Sequence, residues 1–170
     1  MEYKLFLSNK RYLIADIVLA LFIYFIPSIS HLLSFPLYLF DPMRLSVLGS
    51  YLLLRSRNNS LFLAMTLPLV SFLLSGHPIA IKNMIIAIEL VVNALLIDVF
   101  LKSKIKTFYA TLLSITLSKA VYYFLKTIIV YWGLLQTSII DTNMFIQLGV
   151  TVVISVLFAI FYERDYEVVR

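Results

Sequence analysis

The chain has 170 residues, of which 62% are hydrophobic and 14% charged, and a mean hydropathy of +0.98. Soluble domains carry roughly 45–50% apolar and about 25% charged residues, so this composition excludes that class and excludes intrinsic disorder. There is no cysteine, which rules out disulfides, thiolate metal sites and a cysteine nucleophile, and the net charge is +5.

The first segment, Tyr12–Leu33, follows a basic start and lacks a small-residue cleavage site, so it reads as a retained span rather than a signal peptide. The second, Phe35–Leu54, is interrupted by "FDPMRL". Pro42 has no amide hydrogen and disfavours helix in the residue before it, so the second helix is expected to begin there. Ser60–Leu74 is a short third span, followed by Ile79–Leu101, Phe108–Trp132 and Met144–Tyr162. Each approaches the roughly 20 apolar residues a membrane helix needs. The expected fold is an all-α integral membrane protein, one compact domain of six transmembrane helices over residues 1–170.

Lysine and arginine placement sets the orientation. With the N-terminus inside, Lys4, Lys10, Arg11, Arg55, Arg57, Lys102, Lys104, Lys106, Arg164 and Arg170 are all cytoplasmic. The positive-inside rule then predicts six spans with both termini cytoplasmic, and the basic charge needs no nucleic acid to explain it. The inner loops "RSRNN" and "KSKIK" are short. The outer connections, "SHLLSFPLYLFDPMR", "SGHP" and "YWGLLQTSIIDTN", are longer and mix aromatic with polar residues, which is where a small-molecule site is expected.

Polar residues inside the spans form stripes. At about 100° per residue, Glu89 falls about −20° and Asn93 about +20° from Lys82, so all three share one face of the fourth span. On the fifth, Lys119 and Lys126 are seven apart with Tyr122 and Tyr123 beside them, and Asn143 and Gln147 are i,i+4 neighbours on the sixth. A charge at the bilayer centre costs roughly 2.5–3.5 kcal/mol, so these residues should face protein or water. Matched depth predicts a Glu89–Lys119 pair, either a structural tie or part of a site. Asp16 and Asp98 lie near the inner surface as solvated or helix-packing residues, and His31 and His77 read as loop histidines rather than metal ligands. The stripes are weighted to the outer half, as expected for a pocket opening outward with a positive bias and taking an anionic ligand. No P-loop, G-x-S-x-G, H-E-x-x-H or G-x-G-x-x-G motif occurs, so no catalytic residue is assigned and the chain reads as a non-enzyme.

The run "DPMRLSVLGSYLLL" followed by "LPLVSFLLSGHPIAIKNMIIAIELVVNALLIDVFLK" resembles the substrate-binding S components of energy-coupling factor (ECF) vitamin transporters. Pro42, Met43, Arg44 and Leu45 correspond to a Pro-Met-His-Ile-Pro-like entry to the second helix. Pro68, Leu69, Ser71, Leu73, Gly76 and Pro78 correspond to a Pro-Leu-x-Ser-x-Leu-x-x-Gly-x-Pro element, and Ile88, Glu89 and Leu90 to a Met-x-x-Glu-Leu-like run. The resemblance covers about residues 40 to 102. The chain departs from that pattern at Arg44, which replaces a histidine, in keeping only Gly49 of several glycines, and in spacing Ala15 and Ala20 five apart.

The resemblance implies a bacterial cell-membrane subunit that captures a vitamin or vitamin precursor. The outer loops would close over a pocket of helices four to six. Release inward would depend on a transmembrane scaffold subunit and two ATPase subunits, so ATP is a cofactor of the partners and not of this chain. Arg44, Lys82, Glu89, Asn93 and Lys126 are then expected to line or gate the pocket, with Asn143, Gln147 and His77 at its rim and Tyr123 and Trp132 as stacking surfaces. The same stripes also fit a six-span structural protein similar to MreD-like cell-shape scaffolds, in which they tie helices together and bind no ligand.

Overall fold

The computed structural model describes residues 10, 13–14, 16–25, 29, 32, 34, 37–75, 80–103, 105–140 and 143–168, and every regular element among them is helical. In chain order these are α1 (Asp16–Phe25), a 3-10 turn (Leu37–Phe40), α2 (Pro42–Leu54), α3 (Arg57–Ser75), α4 (Ala80–Lys102), α5 (Thr107–Tyr131) and α6 (Met144–Val168).

Local chemistry accounts for several boundaries. Pro42 opens α2, where its fixed φ suits the first turn and its missing N–H is no loss. Asp41 before it sits in the left-handed region at φ 53°, a conformation the short aspartate tolerates better than most residues. Arg55 closes α2 with φ 49°, its backbone N–H donating to the Tyr51 carbonyl at 2.9 Å. α3 runs through Pro68. The end of α5 turns at Gly133, φ 71°, the residue for which that conformation is free of strain. α6 begins where Asn143 Oδ1 accepts from the Phe145 backbone N–H at 2.9 Å, an N-cap of the ordinary kind. The helix then runs six residues beyond the expected end at Tyr162.

Among the described residues three helices are long and apolar enough to cross a membrane, α4, α5 and Met144–Tyr162 of α6, while α1 and α2 are shorter apolar helices. The surface is apolar and much of the interior is polar. Phe22, Leu53, Phe62, Leu73, Met84, Phe124 and Phe145 are exposed, whereas Arg44, Asn93, Ser114, Ser118, Lys126 and Ser155 are buried. Exposed apolar area on this scale marks contact with lipid or protein rather than water. Together these features describe a membrane protein.

Neighbouring helices pack in sequence order from α2 to α6, and α6 also touches α2. Two apolar clusters lie on either side of α2. Val47 joins Ile23, Leu63, Ala64, Leu67, Leu90 and Ala94, while Leu48 and Tyr51 join Ile97, Ile115, Ile154 and Phe158. The clusters draw on successive stretches of α4, which therefore sits at the middle of the bundle. Small residues let α5 approach it: Ala110, Thr111, Ser114 and Ser118 are all fully buried.

Near the C-terminal end of α4, Asp98 gathers three partners. Tyr51 Oη donates to its Oδ1 at 3.1 Å, Lys102 Nζ lies 2.7 Å and Arg57 Nη1 3.7 Å from its Oδ2. Asp98 is thus a helix-packing residue joining α2, α3 and α4. Asp16 on α1 accepts from Asn59 Nδ2 of α3 at 2.7 Å, and the same amide donates to Ser50 Oγ at 2.8 Å.

Candidate functional site

The stripe on α4 turns inward. Glu89 and Asn93 are buried and Lys82 is half-buried. Asn93 Nδ2 donates to Ser114 Oγ of α5 at 3.2 Å, which places Asn93 in the helix interface. Glu89 meets Arg44, whose Nη2 donates to its Oε1 across α2 and α4. Arg44 is only 1% exposed, and its Nη1 also lies 3.0 Å from Asp41 Oδ2. Lys119 Nζ of α5 approaches that same Asp41 oxygen at 3.5 Å.

The expected Glu89–Lys119 pair is therefore corrected. Lys119 and Glu89 line the same cavity, but the start of α2 supplies the partner of each, Asp41 for Lys119 and Arg44 for Glu89. The charges run Lys119, Asp41, Arg44, Glu89, alternating in sign and linking three helices. A planar guanidinium with several donors can serve two carboxylates at once, which an ammonium on a flexible stem does less well. The left-handed turn at Asp41 matters for this arrangement. Its side chain makes no capping hydrogen bond to α2 and serves the two cations instead.

Beside this chain of charges lies a cavity of about 350 Å³. α4 contributes Lys82, Ile86 and Glu89, and α5 contributes Lys119, Tyr122, Tyr123 and Lys126. Gln147 closes it from α6, with Leu39, Asp41, Pro42 and Met43 on the remaining side. Lys126 has no exposed surface and holds its ammonium 5.9 Å from the ring centroid of Tyr122, within cation–π range. Tyr123 Oη donates to Gln147 Oε1 at 2.8 Å, joining α5 to α6 at the cavity wall. Three lysines line the space, Arg44 stands behind it, and two carboxylates oppose them, a net of two positive charges. The volume suits a small organic molecule, and the charge favours an anion. Among the described residues no group of three or more His, Asp or Glu comes together to hold a metal.

Of the residues singled out from sequence, the structure gathers Lys82, Glu89, Tyr123, Lys126 and Gln147 around the cavity. Arg44 lies immediately behind Glu89. Asn93 packs deeper, against Ser114. Trp132 ends α5 on the surface, 69% exposed, and Asn143 caps α6; neither lines the cavity. His77 and His31 fall outside the described residues. Asp41, Pro42, Met43 and Ile86 line the cavity without having been singled out as site residues. For Asp41 a signal was present, since it precedes Arg44 by three residues across a helix start. Comparison with protein-family models, curated proteins and solved structures finds no match.

Proposed function

We propose that the chain is the substrate-binding subunit of an ECF-type transporter in the bacterial cell membrane. It captures a small anionic vitamin or vitamin precursor from outside for uptake driven by a scaffold subunit and two ATPases. The observation that carries this reading is the cavity of about 350 Å³ with a positive excess, walled by Lys82, Lys119 and Lys126 and by the tyrosine pair 122–123. A buried lysine beside an open volume is what a carboxylate or phosphate ligand needs, because each charge offsets the desolvation of the other. The distribution of lysine and arginine supports six spans with both ends inside, which turns the cavity outward. The correspondence of Pro42, Met43 and Glu89 to the motifs of S components supports the same reading.

The direct test is ligand retention. The protein is purified from cells grown in rich medium, denatured, and its released small molecules are identified by mass spectrometry. A near-stoichiometric anion is expected, and Lys126→Met should lower its occupancy by about tenfold or more. Absence of any retained molecule, with no vitamin raising the melting temperature, would remove the basis of the reading.

One observation favours a second reading, a structural membrane protein similar to MreD-like scaffolds. The sequence Lys119, Asp41, Arg44, Glu89 uses four charges to tie α2, α4 and α5 together. In that case Lys126→Met and Arg44→Met alter assembly with partner proteins, and no ligand is recovered from the wild type.

A further inference from the structure

A second cavity of about 210 Å³ lies between α5 and α6 and shares Lys119, Tyr123 and Gln147 with the charged one. Its remaining wall is Thr116 and Ala120 of α5 with Met144, Leu148 and Thr151 of α6. Thr116, Ala120, Met144 and Leu148 are all exposed, so this space opens sideways, toward the lipid, where the first is framed by lysines and carboxylates. The second cavity is lined almost wholly by carbon.

The three shared residues are each amphipathic and each has its polar end engaged away from the second cavity. Lys119 sends its ammonium to Asp41, and Tyr123 and Gln147 hydrogen-bond to one another. What they turn to the second cavity is the lysine stem, the tyrosine ring and the glutamine methylenes. The two volumes thus form one site with a charged chamber, an apolar chamber, and a boundary made of side chains that suit both.

We propose that the ligand is an amphiphilic anion, with its carboxylate or phosphate among Lys82, Lys119 and Lys126 and its hydrocarbon portion against Ala120, Met144 and Leu148. This rests on the anion-binding reading above and adds a second chamber to it. A compact, fully polar anion fills only the first chamber and leaves carbon facing carbon across an unfilled second.

The test uses the full chain in phosphatidylcholine nanodiscs, with butyrate and decanoate as probes of one head group and two chain lengths. Stabilisation against heat is measured as a function of probe concentration. Decanoate is expected to half-saturate at a concentration at least about tenfold lower than butyrate, because part of its longer chain leaves water for the apolar chamber. Leu148→Trp and, independently, Ala120→Phe should remove that advantage and leave the butyrate response in place. Two folded variants on different helices guard against the failure of either one.

Equal responses to the two probes, or a decanoate advantage that survives both substitutions, would overturn the amphiphile assignment and leave the anion-binding reading standing. No response to any anion, retained ligands included, would instead overturn the reading beneath it. A further arm replaces part of the phosphatidylcholine with phosphatidylglycerol. Competition that is sensitive to Leu148→Trp supports the same head-and-chain site with a bilayer lipid as its source. Decanoate binding unaffected by phosphatidylglycerol supports it with a free amphiphile as its source.

Discussion

Removing the guanidinium of Arg44 would strand Glu89 inside the bundle and leave Asp41 with Lys119 alone. Breaking a buried pair by deleting one partner typically costs about 3–5 kcal/mol, because the remaining charge has no compensation. Arg44→Met is therefore expected to lower unfolding stability by that order, read as a shifted midpoint in detergent–denaturant titration. Adding Glu89→Leu to it, which leaves the Asp41–Lys119 pair in place, should restore most of the loss. If the single substitution costs less than about 1 kcal/mol, the size of an exposed ion pair, the buried network described here does not operate. Sequence made Glu89 visible as an intramembrane charge and Arg44 as a charge at the outer end of the second helix, but could not show that they meet. Depth along a helix follows from counting residues, whereas the identity of the lateral neighbour depends on how helices are arranged around the axis. Glu89 was accordingly assigned to Lys119, whereas it meets Arg44 and Lys119 meets Asp41.

Along α5, Thr111, Ser114 and Ser118 recur every three or four residues and are completely buried, Ser114 against Asn93 of α4. Each hydroxyl donates to a carbonyl of its own helix: Thr111 to Thr107, Ser114 to Thr111 and Ser118 to Ile115, all at 2.9 Å. These residues therefore act mainly through small size and satisfied polarity, the way small side chains let membrane helices close on one another. Ser118→Leu is expected to destabilise by about 1–3 kcal/mol through overpacking. Thr116→Leu, two residues away on the exposed face, should be near neutral. Comparable effects at both positions would argue against a tight α4–α5 seam. Helix limits were readable at this scale. The fourth and fifth segments were expected at 79–101 and 108–132 and occur at 80–102 and 107–131, because apolar runs and punctuating lysines mark them. The hydroxyl stripe was not readable, since serine and threonine carry little weight in hydropathy and their partners lie within the same helix.

Among the described residues, an apolar exterior around an interior that holds many polar groups beside its apolar clusters departs from the arrangement of a soluble protein, and the composition points the same way. Which end faces which compartment is a separate matter, on which the lysines and arginines give the only guidance. The chain contains no cysteine, so single introduced thiols report sidedness without background. Ser103→Cys and Leu134→Cys, both at exposed positions flanking α5, should label oppositely with a membrane-impermeant maleimide. Leu134→Cys reacts in intact cells and Ser103→Cys only after the membrane is opened. Labelling of both from one side would contradict the six-span orientation. Shape also accounts for what sequence left out of the site. Trp132 belongs to the right loop by position, yet it ends α5 on the outer surface, and nothing in a linear string distinguishes a ring that turns in from one that turns out.

The ion pair between α2 and α4 also has a history in time. Arg44 precedes Glu89 by 45 residues, and Asp41 precedes Lys119 by 78. A ribosome adding roughly 5–20 residues per second delivers Glu89 about 2–9 s after Arg44. During that interval Arg44, at the third position of a thirteen-residue helix, has Asp41 three residues earlier as its counter-ion and lacks the second carboxylate that it meets in the folded protein. With one of its two carboxylate partners still missing, this helix is expected to settle into its final place only once α4 emerges. Docking of α2 is thereby expected to follow synthesis of α4, and a nascent chain halted before Glu89 should leave Arg44 more accessible to water than in the full-length protein.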